Sequence, residues 1–160
     1  MDGAQKTAAS PAASHRWNTD PLPLLTEVFA VGGRVPLAVT GGSMRPFLRE
    51  GRDTVLLSAP KRVKKGDVVF FRRINGQWVL HRVVAVKADG YLLNGDAQLW
   101  TEPVPVGRVM AVVTGVRRGE KEFSTRALRW RVPTTLWRWM RPCRRWMLAL
   151  WRRRPRRKEK

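Results

Sequence analysis

The chain has 160 residues, with 32 Lys/Arg against 12 Asp/Glu and a formal net charge of +20. That length supports one small hydrophobic core rather than two. The single cysteine, Cys143, excludes an intramolecular disulfide, and two histidines with one cysteine offer no metal-ligand spacing, so no cofactor or metal is expected. The charge is uneven: from Arg117 onward there are 17 Lys/Arg against 3 Glu, which places +14 of the +20 in the last 44 residues.

Residues 1–20 are rich in Ala, Ser, Thr, Asp and Asn without apolar periodicity and read as a disordered leader. They lack the apolar core of a secretory signal, and no stretch reaches the roughly 18–20 apolar residues that span a bilayer as a helix. Pro21–Val31 reads as a short helix, with a proline at its start, Leu24, Leu25, Val28 and Phe29 at helical spacing, and Gly32-Gly33 as its stop. The period then changes to two, predicting strands over 34–40, 53–58, 67–73, 77–86, 90–93 and 108–117. Asn75-Gly76 marks a hairpin between the third and fourth. Short strands at even spacing argue for a mainly β, barrel-like or sheet-pair domain. The expected organisation is a leader over 1–20, a β domain over 21–117 and a basic tail over 118–160.

Gly41-Gly42-Ser43-Met44-Arg45-Pro46 follows the first predicted strand. Two glycines free the backbone, and the proline biases Arg45 away from helix. A small hydroxyl on a bare, sharp turn suits a nucleophilic serine, although a Gly-Gly-Ser turn between strands explains the residues equally. His81 falls within the fourth strand, on one face with Val79, Val83 and Ala85, where it is either a satisfied core residue or a base held in a hydrophobic cleft. Asp96 lies in Asn94-Gly95-Asp96, as a turn aspartate or a carboxylate partner. Together the three supply the parts of a Ser-His-Asp arrangement: the imidazole accepts the hydroxyl proton, and the carboxylate fixes its tautomer.

Gly42-Ser43-Met44-Arg45-Pro46, Lys65-Gly66-Asp67-Val68-Val69-Phe70-Phe71, Leu80-His81-Arg82-Val83-Val84 and Asn94-Gly95-Asp96 resemble, in order, the boxes of type I signal peptidases. They also resemble the self-cleaving peptidase domains of SOS-type repressors. The resemblance covers roughly residues 34–115. It implies the mostly β fold of that superfamily, with Ser43 as nucleophile, His81 as the base of the histidine subtype and Asp96 as the carboxylate. It also implies a precursor or leader peptide as substrate, docked as an extended strand beside the nucleophile. Where some relatives carry a hydroxyl two residues before the serine, this chain has Gly41. The oxyanion site then rests on backbone N–H groups near Gly41, Gly42 and Met44. The membrane enzymes of the family carry a transmembrane anchor before the serine box; the corresponding stretch here is short and polar.

Residues 126–157 hold five of the eight tryptophans. At 100° per residue Trp137, Met140, Cys143, Met147, Leu150 and Trp151 fall in one arc, flanked by Trp139 and Trp146, with Arg138, Arg141, Arg145 and Arg152 opposite. Pro133 suits a helix start, and Pro142 a kink or break. This is the pattern of an interfacial helix on an anionic membrane, and it gives the tail a peripheral, cytoplasmic-face location. A nucleic-acid patch is the alternative use of interleaved Arg and Trp. The expected function is thus a membrane-associated serine endopeptidase, against the alternative of a non-catalytic membrane- or nucleic-acid-binding module on the same scaffold.

Overall fold

The computed structural model describes residues 20–140 and Cys143. The first element is α1 (Leu22–Ala30). The amides of Gly32 and Gly33 close its end by donating to Phe29 O and Val28 O at 3.1 and 2.9 Å. Gly32 takes φ +72°, which a side chain resists.

Eight antiparallel strands follow: β1 (Val35–Ala38), β2 (Asp53–Ser58), β3 (Val68–Arg72), β4 (Trp78–Val86), β5 (Gly90–Asn94), β6 (Glu102–Pro105), β7 (Val109–Arg118) and β8 (Lys121–Ser124). They form one sheet in the order β1-β2-β7-β3-β4-β5-β6, with β8 added to β7. The mainly β architecture expected from the periodicity is present. The β3–β4 hairpin sits at Asn75-Gly76, but only Gly76 has positive φ (+82°). Arg73 N donates to Gln77 O and Gly76 N to Arg73 O, the pattern of a type I turn followed by a glycine bulge rather than a two-residue primed turn.

Central β3 is buried on both faces. Val68 and Phe70 point into a core shared with Leu25, Leu37, Met44 and Val113, while Val69 and Phe71 join Val83, Leu93, Val104 and Val109 on the other side. Truncating a large side chain in such a position to alanine costs about 2–5 kcal/mol.

The expected boundary at residue 117 cuts through a continuous structure. Strand β8 pairs with β7 from Gly115↔Ser124 to Arg118↔Lys121. Helix α2 (Leu128–Trp139) then returns to the sheet and buries Trp130 and Thr134. Pro133 lies inside this helix, not at its start. The helix ends three residues before Pro142, as a proline's restriction of the preceding backbone requires. Among the described residues no helix is long and apolar enough to cross a membrane.

Candidate active-site cleft

Ser43 sits in a turn-rich segment between β1 and β2, and its placement is over-determined. Gly41 takes φ +73°, and Arg45 N closes a turn on Gly42 O at 3.2 Å. Met44 is buried beneath the turn, anchoring it in the core. Downstream, Asp53 is a buried clamp: it accepts from Arg49 N, Arg52 and Arg118, while Arg52 and Arg118 also each donate to Phe47 O. Burial pushes the Asp53 carboxyl up, but the hydrogen bonds from Arg52, Arg118 and Arg49 outweigh it and hold the group below its usual range. Asp53 thus has a structural role, pinning the turn to the start of β2 and the end of β7.

A cleft of about 690 Å³ opens beside Ser43, lined by both Ser43 and His81. Its walls are two strand edges. Among the described residues β1 pairs only with β2, and residues 78–81 of β4 pair only with β3, because β5 joins β4 from Arg82 onward. Leu37–Thr40 and Trp78–Leu80 line the opening between these edges. Among the described residues the amides of Gly41, Gly42, Ser43 and Met44 donate to no backbone carbonyl. Gly41, Ser43 and Met44 line the cleft; Gly42 flanks it.

His81 is fully buried in β4, packed against Phe71 and edge-on to Trp100. Its Nδ1 lies 2.7 Å from Glu102 Oε1. That approach is off the ring N–H direction, so Nδ1 has a close carboxylate rather than an aligned hydrogen bond, and Nε2 has no partner among the described residues, Ser43 included. Arg73 grips the same carboxylate with Nε at 2.9 Å and Nη2 at 2.7 Å. Burial is the main cause that lowers the His81 pKa below its ordinary 6.5, with the Arg73 charge acting in the same direction. Glu102, and more weakly Asp96, oppose it.

The carboxylate expected at His81 is therefore not the one the fold supplies. Asp96 is buried and gives both oxygens to Arg82, at 2.9 Å to Nε and 2.6 Å to Nη2. Arg82 is equally buried, donates to Gly66 O at 2.9 Å and lies over the Phe47 and Trp130 rings. This pair ties the 95–101 loop to the rest of the domain, and Ala97 N completes the tie by donating to Ser43 O at 2.8 Å. Asp96 thus acts on Ser43 through the backbone, while Glu102 stands against the imidazole. Glu102 opens β6, Glu-Pro-Val-Pro, an edge strand that the two prolines hid from the strand count. The one available signal was Val104: it alternates with the prolines, and Glu102 shares its face.

Trp137, assigned to a membrane face, is half-buried against the domain: its Nε1 donates to Asp96 O at 2.9 Å, and its ring meets Phe47 edge-on. Met140 is also half-buried, at the helix end. Trp146, Met147, Leu150 and Trp151 lie outside the described residues. Among the described residues no three His, Cys, Asp or Glu side chains converge as metal ligands would.

No protein-family model matches this chain, and neither a curated protein nor a solved structure matches it.

Proposed function

We propose that the chain is a serine endopeptidase that cleaves a leader or precursor peptide bound as an extended strand in the cleft. The observation that carries this reading is His81: a buried imidazole with a carboxylate against Nδ1 and an unpartnered Nε2, in a cleft whose rim holds Ser43. The two open edges support it further, because an added strand satisfies backbone donors and acceptors on both sides.

In this mechanism Ser43 Oγ attacks the scissile carbonyl carbon as His81 Nε2 takes its proton. The carbonyl oxygen, now an oxyanion, is met by the free amides around Ser43. His81 passes the proton to the leaving nitrogen as the C–N bond breaks, leaving an acyl-serine. A water then attacks the ester, its proton goes to Nε2, and the C–Oγ bond breaks with the proton returned to Ser43. Glu102 holds the Nδ1–H tautomer and stabilises the imidazolium. Ser43 Oγ and Nε2 are not hydrogen-bonded in the resting structure; such contacts commonly tighten only when substrate binds.

The test is digestion of a proteome-derived peptide library, read by mass spectrometry. Cleavages made by the wild-type chain vanish with Ser43→Ala and with His81→Ala, while circular dichroism shows both variants folded. Cleavage that persists in both variants sinks the proposal. A non-catalytic module is the second reading, favoured by the unmade Ser43–His81 bond; it predicts no cleavage by the wild-type chain.

A further inference from the structure

On a different face of the domain, the 62–67 turn and α2 enclose a second cavity of about 480 Å³. Six cationic side chains line it: Arg62, Lys64, Lys65, Arg126, Arg131 and Arg138. The single acid there, Asp67, already accepts the Lys64 amide at 2.8 Å. Arg138 Nη1 is buried and has no hydrogen-bond partner among the described residues. It occupies the space above Gly66, where a Cβ would stand 2.7 Å from it. A buried guanidinium nitrogen left unpaired costs free energy that a bound anion returns. Burial and then the Arg82 charge hold the Arg138 pKa below its usual value, with a smaller push from Arg131, against the pull of the Asp96 carboxylate.

The same helix carries a second feature. Leu128, Val132, Leu136 and Trp139 recur at helical spacing and are 76, 60, 59 and 80 % exposed. They lie on the side of α2 away from Trp130 and Trp137, which dock on the domain, and the cavity-lining Arg131, Thr135 and Arg138 adjoin them around the helix. An apolar stripe bordered by arginines, beside a cation-lined cavity, has the chemistry of an anionic bilayer: acyl chains for the stripe, phosphate for the cavity.

We propose that α2 and the 62–67 turn form a binding site for anionic phospholipid, with a headgroup phosphate against Arg138 and the Leu128/Val132/Leu136/Trp139 stripe in the acyl boundary. The site keeps the membrane surface expected from the sequence but turns it around the helix, away from inward-facing Trp137 and onto the side of Leu136 and Trp139. It stands whether or not the cleft is catalytic.

The full chain is co-sedimented with phosphatidylcholine vesicles, with and without phosphatidylglycerol. Arg138→Gln weakens partitioning onto the anionic vesicles about fivefold, as expected for one cation at the surface. A Leu136→Ser/Trp139→Ser variant weakens it about tenfold or more, and added salt weakens every form. Thermal unfolding confirms that the variants fold; if Arg138→Gln does not, Lys65→Gln/Arg131→Gln serves instead. Binding unchanged in both the cation and the stripe variants overturns the site and leaves vesicle binding to residues beyond α2. Stabilisation by inorganic phosphate that depends on Arg138, with the stripe variant binding vesicles as wild type does, assigns the cavity to a free anion and overturns the lipid proposal. Arg138-dependent binding of duplex DNA without vesicle binding overturns it in favour of nucleic acid.

Discussion

His81 and the Nη1 of half-buried Arg138 are both nitrogen groups held away from water, and the fold treats them oppositely. At His81 the neighbours are Glu102 and two aromatic rings, so the imidazole is oriented on one side and open on the other. At Arg138 most of the cavity-lining neighbours are further cations, and among the described residues no carboxylate hydrogen-bonds Nη1, although Asp96 is close enough to act on its charge. A buried group that has a partner on one nitrogen is set up to move a proton through the other. A cation with one buried, unpaired nitrogen is set up to receive an anion. The cleft and the cavity thus differ in where the missing charge is to come from: within the chain for His81, from outside it for Arg138.

The sharpest way to break this comparison is to exchange the two carboxylates near the cleft. Glu102→Gln removes the negative charge that stabilises the His81 imidazolium and adds an NH2 donor that favours the wrong tautomer, and kcat/KM on a cleavable peptide should fall about 10³–10⁴-fold with little change in fold. Asp96→Asn should do the reverse in kind. It leaves Arg82, which is 1 % exposed, without its ionic partner, so stability in urea should drop by about 3–5 kcal/mol. Should Asp96→Asn prove stable but inactive, and Glu102→Gln active, the assignment of the two acids is reversed.

The pH response is the next largest effect. Because burial lowers the His81 pKa below 6.5, the neutral base persists into mildly acidic solution, and the acid limb of kcat/KM lies below that value. The sign for stability follows from linkage. Between the ordinary and the lowered value the unfolded chain binds a proton that the native chain refuses. Stability is therefore level above about 6.5 and falls as pH drops below it. Arg73→Gln removes a positive charge that disfavours the imidazolium, so it should move the acid limb to higher pH, as read from a pH–rate profile. A limb that stays fixed would falsify the electrostatic role of Arg73.

How far the cleft could be read in advance depended on whether the signal was local. Ser43 announced itself through its own neighbours, the glycines before it and Pro46 after it. The β3–β4 hairpin did so through Asn75-Gly76. His81 was placed on a strand by alternation, although the bulge between Val83 and Ala85 breaks the face it was expected to share. Glu102 could not be found that way. Its approach to His81 depends on β5 joining β4 only from Arg82 and on β6 joining β5 at Leu93↔Glu102, two pairings distant in sequence. Trp137 was hidden for a different reason. The 100° arc identified an amphipathic helix, but periodicity does not say which of two apolar faces docks. Trp130 and Trp137 won the domain because Phe47 and Asp96 O were there to meet them.

That docking gives the smallest prediction and the most direct probe of whether the two regions are independent. Trp137 Nε1 donates to Asp96 O, and the next residue of that loop, Ala97, donates its amide to Ser43 O. A path of two hydrogen bonds therefore runs from α2 to the serine turn. Trp137→Phe keeps an aromatic edge near Phe47 and deletes the first of these bonds. The expected cost is about 1 kcal/mol of stability, measured by denaturant unfolding. If the path merely braces the loop, kcat/KM changes less than about threefold and vesicle binding is untouched, because the exposed stripe is on the other side of the helix. A loss of kcat/KM comparable to that of Glu102→Gln would instead make α2 a positioning element for Ser43. Occupancy of the cationic cavity by lipid would then bear directly on the chemistry in the cleft.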